Sequence, residues 1–323
     1  MLRGIRFIGW IALVFLVSAA AFGQTTVNVS PGDDLQAALL AAGQGGTVVF
    51  AAGWYDVVPT DAEQREAIHV TASLRGITLR GAGPGVDPAT ATILDGEAGF
   101  LETGILLEAS GVTVEGLTLV NFWNRGFLLG DRVTNIECRR CWVLGCESGV
   151  TTDGSAGVWN QGTPEIFANM VRFKYCILAR GGNDGGVIGS GSAILFDHCD
   201  FYDMDSALLV SEDTSVVLAR NCIFNAGLNS DNIQGNAASL IHAKNSVFFD
   251  PEGGQTDDLG GMDFTGFVYA VDSIGGDPLY LNVGPDVPFL QLDFRLRSGS
   301  PALTAGKDEN GNSTFAGSMG GAQ

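Results

Sequence analysis

The chain has 323 residues, of which 46 are glycine, 46% are apolar and only 16% are charged. It is too apolar to be disordered, and its Gly and Pro have no collagen period. Its 36 acidic and 17 basic residues give a formal charge of −19, which excludes nucleic acid as a partner and leaves cations, sugars, or acidic substrates reached through a bound cation.

Residues 1–23 read as a signal peptide. Arg3 and Arg6 precede the apolar residues 7–17, and Ala21-Phe22-Gly23 ends in small residues at the cleavage positions. Cleavage is expected before Gln24, with an uncleaved anchor as the alternative. No later apolar run is long enough to span a bilayer. The expected destination is secreted, extracellular or periplasmic, or the cell surface, and the expected state is a monomer.

Residues 24–56 predict an N-terminal cap and first coil. Ser30-Pro31-Gly32-Asp33 has capping-box spacing, Leu35, Ala38, Leu39 and Ala42 follow at helical spacing, and Gly43 stops the helix. Residues 57–252 then carry a repeat. Cys176, Cys199 and Cys222 stand 23 residues apart, each between two short β-like runs. One column reads Leu117, Cys141, Cys176, Cys199, Cys222 and Ser246. A unit this short, with several three- to five-residue strands and no helical period, predicts one coil of a parallel β-solenoid. Stacked coils repeat at about 4.8 Å, and about eight are expected, with glycines at the bends. The interval from Cys141 to Cys176 is longer, and its surplus near 154–165 predicts a loop on one face. Residues 253–323 lose the repeat and are expected to cover the other end.

The run from Pro31 through Leu39, then Gly46-Thr47-Val48-Val49-Phe50, Gly53-Trp54-Tyr55 and Ile77-Thr78-Leu79-Arg80-Gly81-Ala82-Gly83, resembles the opening of the pectate-lyase-like right-handed parallel β-helix superfamily. Residues 111–122 resemble one of its coils. Asp277-Pro278-Leu279-Tyr280, Asp293-Phe294-Arg295-Leu296 and Ser298-Gly299-Ser300-Pro301-Ala302 resemble a tail common in secreted bacterial β-helix proteins. The resemblance implies an all-β, single-stranded right-handed parallel β-helix with an N-terminal capping helix. It is specific for fold and weak for activity, because the fold carries lyases, hydrolases, epimerases and inert surface proteins.

It also implies three sheets per coil and a substrate groove over the first. The inward residues there are expected to be Ile68/Val70, Ile105/Leu107, Val150/Thr152 and Leu208/Val210, with His69, Glu108, Thr151, Asp153, Ser211 and Gln234 outward. Asp153, Asp184, Asp205 and Asp231 come from successive coils as oxygen ligands for Ca²⁺, or else as ordinary turn aspartates. In such lyases Ca²⁺ neutralises a uronate carboxylate and a basic residue takes the α proton; here Arg180, or secondarily Arg125, is the candidate. Trp159, Asn160, Asn183 and Gln234 are the candidate sugar contacts, with Trp54, Trp123 and Trp142 assigned to core or cap. The hydrolase motifs of the fold are missing, which argues against a polygalacturonase.

At another turn, Glu115, Arg139, Lys174, Asp197, Arg220 and Lys244 form a column, followed one step later by Gly116, Arg140, Tyr175, His198, Asn221 and Asn245. These read as a solvated charge ladder leading to an asparagine ladder, with His198, Asp197 and Lys174 as an acid–base alternative. The Cys ladder reads as buried reduced thiols, while Cys138 or Cys141 with Cys146 could close a turn. The function expected is an exported polysaccharide-active protein, foremost a Ca²⁺-assisted polyuronate lyase; the alternative is a non-catalytic surface β-helix that binds glycans or is structural.

Overall fold

The computed structural model describes the chain outside residues 1–23, 58–64, 98–99, 153–155, 157–168, 183, 190, 205–206, 212–213, 226–230, 236–238, 250–266, 285 and 320–323. At 207–211, 231–232, 234–235, 267–269 and 289 it describes the backbone alone. Three parallel sheets, here A, B and C, run the length of the molecule. Sheet A has ten strands, from Thr26–Val29 to Phe267–Val271. Sheet B has nine, from Gly53–Asp56 to Ile274–Gly275, and sheet C seven, from Glu66–Val70 to Asp231–Gly235. The chain visits A, B and C in turn and returns to A, so each strand pairs with its equivalent one coil on. This is a parallel β-helix.

The register is continuous across the long interval, because Glu137 pairs with Arg172 and Trp142 with Ile177. The surplus near 154–165 therefore does not shift the coils on either side of it; all but Ala156 of that stretch fall outside the described residues. The repeat extends past 253. Phe267–Val271 adds to sheet A on Leu240–Lys244, and Ile274–Gly275 adds to sheet B on Val247–Phe249.

Sharp bends need left-handed backbone. At the A-to-B corner Gly116, Arg140, Tyr175, His198, Asn221, Asn245 and Asp272 all have φ between 49° and 69°. At the B-to-C corner Asn121, Gly145, Arg180 and Asp203 do the same. That conformation costs an L-residue about 1–2 kcal/mol, and the ladders on either side of each corner hold it.

The interior is a set of ladders. Phe201, Phe224 and Phe248 stack at 4.9 Å between centroids, nearly coplanar. All six cysteines are free and buried, as the ladder reading expected for Cys176, Cys199 and Cys222; Cys138, Cys141 and Cys146 form no turn-closing bridge. Cys141, Cys176, Cys199 and Cys222 each donate Sγ–H to the carbonyl two residues back, at 3.3–3.6 Å. Ser246 does so with its hydroxyl at 3.0 Å. The column thus takes a small apolar residue that can also satisfy a corner carbonyl.

At the N-terminal end the helix Leu35–Ala42 buries Leu35, Ala38, Leu39 and Ala42. It begins later than the capping box predicts. Asp34 is the N-cap, accepting from the Ala37 amide, while Ser30 and Asp33 close a separate turn. Gln36 donates to the carbonyl of His69 and accepts from its amide, so one side chain satisfies the open edge of the first sheet C strand.

The C-terminal segment departs from expectation. It lies along the outer face of sheet B rather than over the open end. Tyr280, Leu292, Phe294, Leu296, Ala302 and Ala316 form a second apolar cluster with Val120, Trp142, Leu144, Ile177, Tyr202, Ile223 and Val247 of that face. The physical reason is that sheet B strands are apolar on both faces, and the outer one is buried only if something covers it.

Candidate functional site

Sheet C and its corner with sheet B form the face that the sequence singles out. The inward column holds Ile68, Val70, Ile105, Leu107, Val150 and Thr152, all buried as expected. The outward row runs His69, Leu106, Leu128, Thr151, Val187, Val210 and Gln234 by register. Two positions differ from the reading. Val210 falls in the outward row, and Ser211 aligns with the buried Ile188, so the expected inward pair Leu208/Val210 is displaced by one residue. A continuous apolar run such as Ala207–Ser211 carries no parity from which to fix the face. The row is also more apolar than the hydroxyl- and amide-rich patch expected. Its polar end is a hydrogen-bonded contact between His69 Nε2 and Glu108 Oε2 at 2.8 Å.

The polar groups collect at the sheet's leading edge. The edge column contains Glu66, Thr103, Arg125 and Ser148, then Asp184 by continuation of the register, Ala207 and Asp231. The Gly149 amide on the Asp184 carbonyl fixes that continuation. Arg125, Asp184 and Asp231 therefore stand on alternate coils of one column, about 10 Å apart in steps of two. Arg125 Nε donates to Asn124 Oδ1 at 3.2 Å. Among the described residues no three His, Cys, Asp or Glu side chains converge as a metal cluster. Asp153 and Asp205 lie outside the described residues, and Asp231 is described by its backbone alone.

The Arg180 guanidinium is engaged by the tail. It occupies the left-handed position of the B-to-C corner, and its Nη1 donates to the Val287 carbonyl of the tail at 2.8 Å. Its Nε and Nη2 are buried without a hydrogen-bond partner among the described residues. A guanidinium so covered serves the tail's docking, which leaves Arg125 as the arginine open to the sheet C edge. Trp159, Asn160 and Asn183 lie outside the described residues, and Gln234 is placed only by register.

Two aromatics that the sequence reading missed stand beside Arg125. Phe100 is 86% exposed and Trp123 is 56% exposed. They lie on consecutive coils, the Trp123 amide bonding the Leu101 carbonyl next to Phe100. Trp123 is thus neither core nor cap, unlike Trp142, which packs edge-on against Phe294 under the tail. The signal available was position: both fall at the end of a corner, where a large side chain has no inward direction to take.

The charge ladder forms as read, in part. Arg80 and Arg139 flank Glu115 at 3.8 and 3.0 Å, and Arg220 meets Asp197 at 2.7 Å. Lys174 pairs with Glu137 instead of Asp197. Asn221 and Asn245 share the corner column, but the Asn221 amide is taken by the tail: Nδ2 donates to the Lys307 carbonyl and Oδ1 accepts from its amide.

No protein-family model matches the sequence, and comparison with curated proteins gives no match. Solved structures share the fold. Pectate lyase Pel9A matches at TM-score 0.50 and 12% identity, covering 92% of this chain and 96% of that one. Escherichia coli YbhC matches at 0.50 and 11%, covering 84% and 88%. Rice weevil pectin methyl esterase matches at 0.49 and 10%, covering 79% and 90%. The chain is a parallel β-helix protein of pectate-lyase-like architecture. No helix among the described residues is long and apolar enough to cross a membrane.

Proposed function

We propose that this is an exported, monomeric β-helix protein that acts on an acidic polysaccharide by β-elimination along sheet C. The observation that carries the reading is the edge column, in which Arg125, Asp184 and Asp231 share one register line, flanked by the exposed rings of Phe100 and Trp123. Exposed rings offer sugars flat apolar faces. Carboxylates and an arginine beside them suit a chain of uronates.

In this reading Asp184 and Asp231, with Asp205 from the intervening coil, would hold Ca²⁺, which when bound neutralises the uronate carboxylate; Asp153 follows Thr152, five residues along the chain from the edge column, and is not part of that set. Arg125, as the free base, takes the proton α to that carboxylate, the bond to the 4-oxygen breaks, that oxygen leaves as a hydroxyl with a proton from water, and the other fragment is left as an unsaturated uronate. Phe100 and Trp123 hold neighbouring rings, and Trp159, Asn160, Asn183 and Gln234 supply further sugar contacts. The signal-like residues 1–23 and the acidic surface support export.

The test is absorbance at 235 nm against a panel of polyuronates, with Ca²⁺ and with EDTA. A Ca²⁺-dependent rise that Arg125→Ala abolishes is the expected result. A flat trace across the panel overturns catalysis and leaves the alternative of a glycan-binding or structural β-helix.

A further inference from the structure

At the A-to-B corner, remote from the sheet C edge, the tail closes over the solenoid and leaves a cavity of about 240 Å³. Its walls come from three successive coils, through Tyr175, Asp197, His198, Arg220 and Asn221, and from the tail hairpin at Lys307, Glu309 and Thr314. At roughly 30 Å³ per water in the liquid, it has room for about eight waters, which is the scale of one sugar ring.

The chemistry of the wall is specific. His198 is only 8% exposed and Asp197 only 7%. His198 Nδ1 faces Asp197 Oδ1 at 2.9 Å, and Arg220 Nη2 donates to Asp197 Oδ2 at 2.7 Å. Burial alone would raise the Asp197 carboxyl, but these hydrogen bonds outweigh it and hold the group below its ordinary range. When the ring is neutral, a carboxylate facing Nδ1 holds its proton on that nitrogen. Nε2 is then an acceptor, and it has no hydrogen-bond partner among the described residues. The ring cannot swing away from this position, because Tyr175 stacks on it at 4.9 Å and Phe315 meets it edge-on at 5.3 Å.

The surrounding charge is balanced rather than strongly anionic or cationic. Asp197 and Arg220 satisfy each other. The Asp308 carboxylate is spent on the Asn310 and Asn312 amides and the Asn312 side chain. Lys307 Nζ donates to Ser313 Oγ, and Glu309 is exposed. Such a wall offers the Nε2 acceptor of a mostly buried ring, several peripheral donors and acceptors, and charges that pair among themselves. That is the complement of a hydroxyl-bearing ring, not of phosphate or a metal ion.

We propose that this cavity is a second binding site, taking a single pyranose whose hydroxyl donates to His198 Nε2. It stands independently of the lyase reading, because it shares no residue with the sheet C edge. The experiment uses the full secreted chain and long-range ¹H–¹⁵N spectra of its imidazoles, titrated separately with D-galactose and with D-galacturonate. The chain has only three histidines, and His69→Gln and His242→Gln assign them. The expected result is a saturable shift of the His198 resonances with at least one sugar while those of His69 and His242 stay still. Glu309→Gln, at an exposed hairpin position, is expected to weaken galactose binding roughly tenfold, the loss of one charged hydrogen bond, and to strengthen that of galacturonate, whose carboxylate the Glu309 charge repels. A response to galactose assigns a neutral sugar, and a response to galacturonate alone assigns an acidic one. Unmoved His198 resonances with both sugars overturn the proposal, as do equal shifts at all three histidines or an affinity indifferent to Glu309→Gln.

Discussion

The hydroxyl of Tyr280 donates to the carboxylate of Asp200 at 2.6 Å across 80 residues of sequence. The backbone amide and hydroxyl of Ser318 donate to the same group. Asp200 points outward from sheet B, yet it is 1% exposed because the tail covers it. One carboxylate therefore ties both ends of the tail to the solenoid.

That tie makes stability depend on pH. Burial raises the Asp200 pKa from 3.8 to about 6, with the Ser318 and Tyr280 hydrogen bonds only partly offsetting it. The folded state thus holds the proton more tightly than the unfolded chain. Its contribution is fully present below about pH 4 and is lost as pH rises through 6. The difference is on the order of 3 kcal/mol. Urea unfolding between pH 4 and 7 should show a falling limb carrying about one proton, and Asp200→Asn should flatten it. An unchanged slope in that variant would assign the limb to other groups.

Arg180 and Arg125 should separate cleanly. Arg180 Nη1 is bound to Val287 in the tail, so Arg180→Ala is expected to leave product formation near the parent level. It should speed protease cleavage of the tail several-fold, since local opening governs such cleavage. Arg125→Ala is expected to do the reverse. Loss of activity in Arg180→Ala with an intact tail would return the base assignment to Arg180.

Much of the fold was legible because a solenoid writes its register into the sequence. The Cys141–Cys176–Cys199–Cys222–Ser246 column predicted which residues share a ladder, since each coil offers that position the same small pocket and the same corner carbonyl. What escaped reading depended on contacts without a period. Asp200 looks like any strand-edge aspartate until the tail covers it. His198 looked solvated because the hairpin that closes its cavity lies 109 or more residues further on, at Lys307 and beyond. Arg180 was assigned by its corner position, which was correct, but the direction of its side chain was set by a carbonyl of the tail. The site edge was half legible: the turns ahead of the sheet C strands located Arg125 and Asp231, while the exposed pair Phe100 and Trp123 follows no repeat pattern.

The start of the sheet C strand Arg125–Leu129, just past the B-to-C corner, should be intolerant of even a methyl group. A Cβ at Gly126 would collide with Val143 Cγ1 and lie 2.9 Å from the Gly149 carbonyl oxygen. Valine is stiff at χ1 and the carbonyl belongs to the ladder, so neither can yield cheaply. Gly126→Ala is expected to cost about 2–3 kcal/mol. Gly182→Ala, where a Cβ meets nothing within 4 Å, should change stability by less than about 0.5 kcal/mol. Chemical denaturation of the two variants beside the parent decides it, and equal midpoints would refute the steric argument.

The aromatic ladder should carry the C-terminal coils. Phe224 is fully buried between Phe201 and Phe248, with both rings at 4.9 Å. Phe224→Ala removes two stacking contacts and leaves a cavity that neighbouring coils cannot close without breaking register, so a loss of about 3–5 kcal/mol is expected. Phe224→Leu, which refills part of the volume, should recover more than half of it. Hydrogen exchange should show lost protection concentrated in Ile223–Asn225 and its neighbours Val247–Phe249, with Thr113–Glu115 little affected, because solenoid coils stabilise mainly their nearest neighbours. Uniform loss along the rod would mean that the coils unfold as one unit.

The thiols should be inert while the coils hold. Burial pushes Cys146 to about 12, and burial together with the neighbouring thiols pushes Cys141, Cys176 and Cys199 well above the ordinary range. The thiolate is the reactive form, so a disulfide reagent is expected to find none of the six in the native protein and all six in concentrated guanidinium. Cys199→Ser should retain the corner bond, because Ser246 makes the same bond in the next-but-one coil. Its cost should stay near 1 kcal/mol, the price of a buried hydroxyl that keeps a partner. Cys199→Ala loses both the donor and the packing and should cost more. Fast native labelling of the Cys176–Cys199–Cys222 row would show instead that these coils open readily.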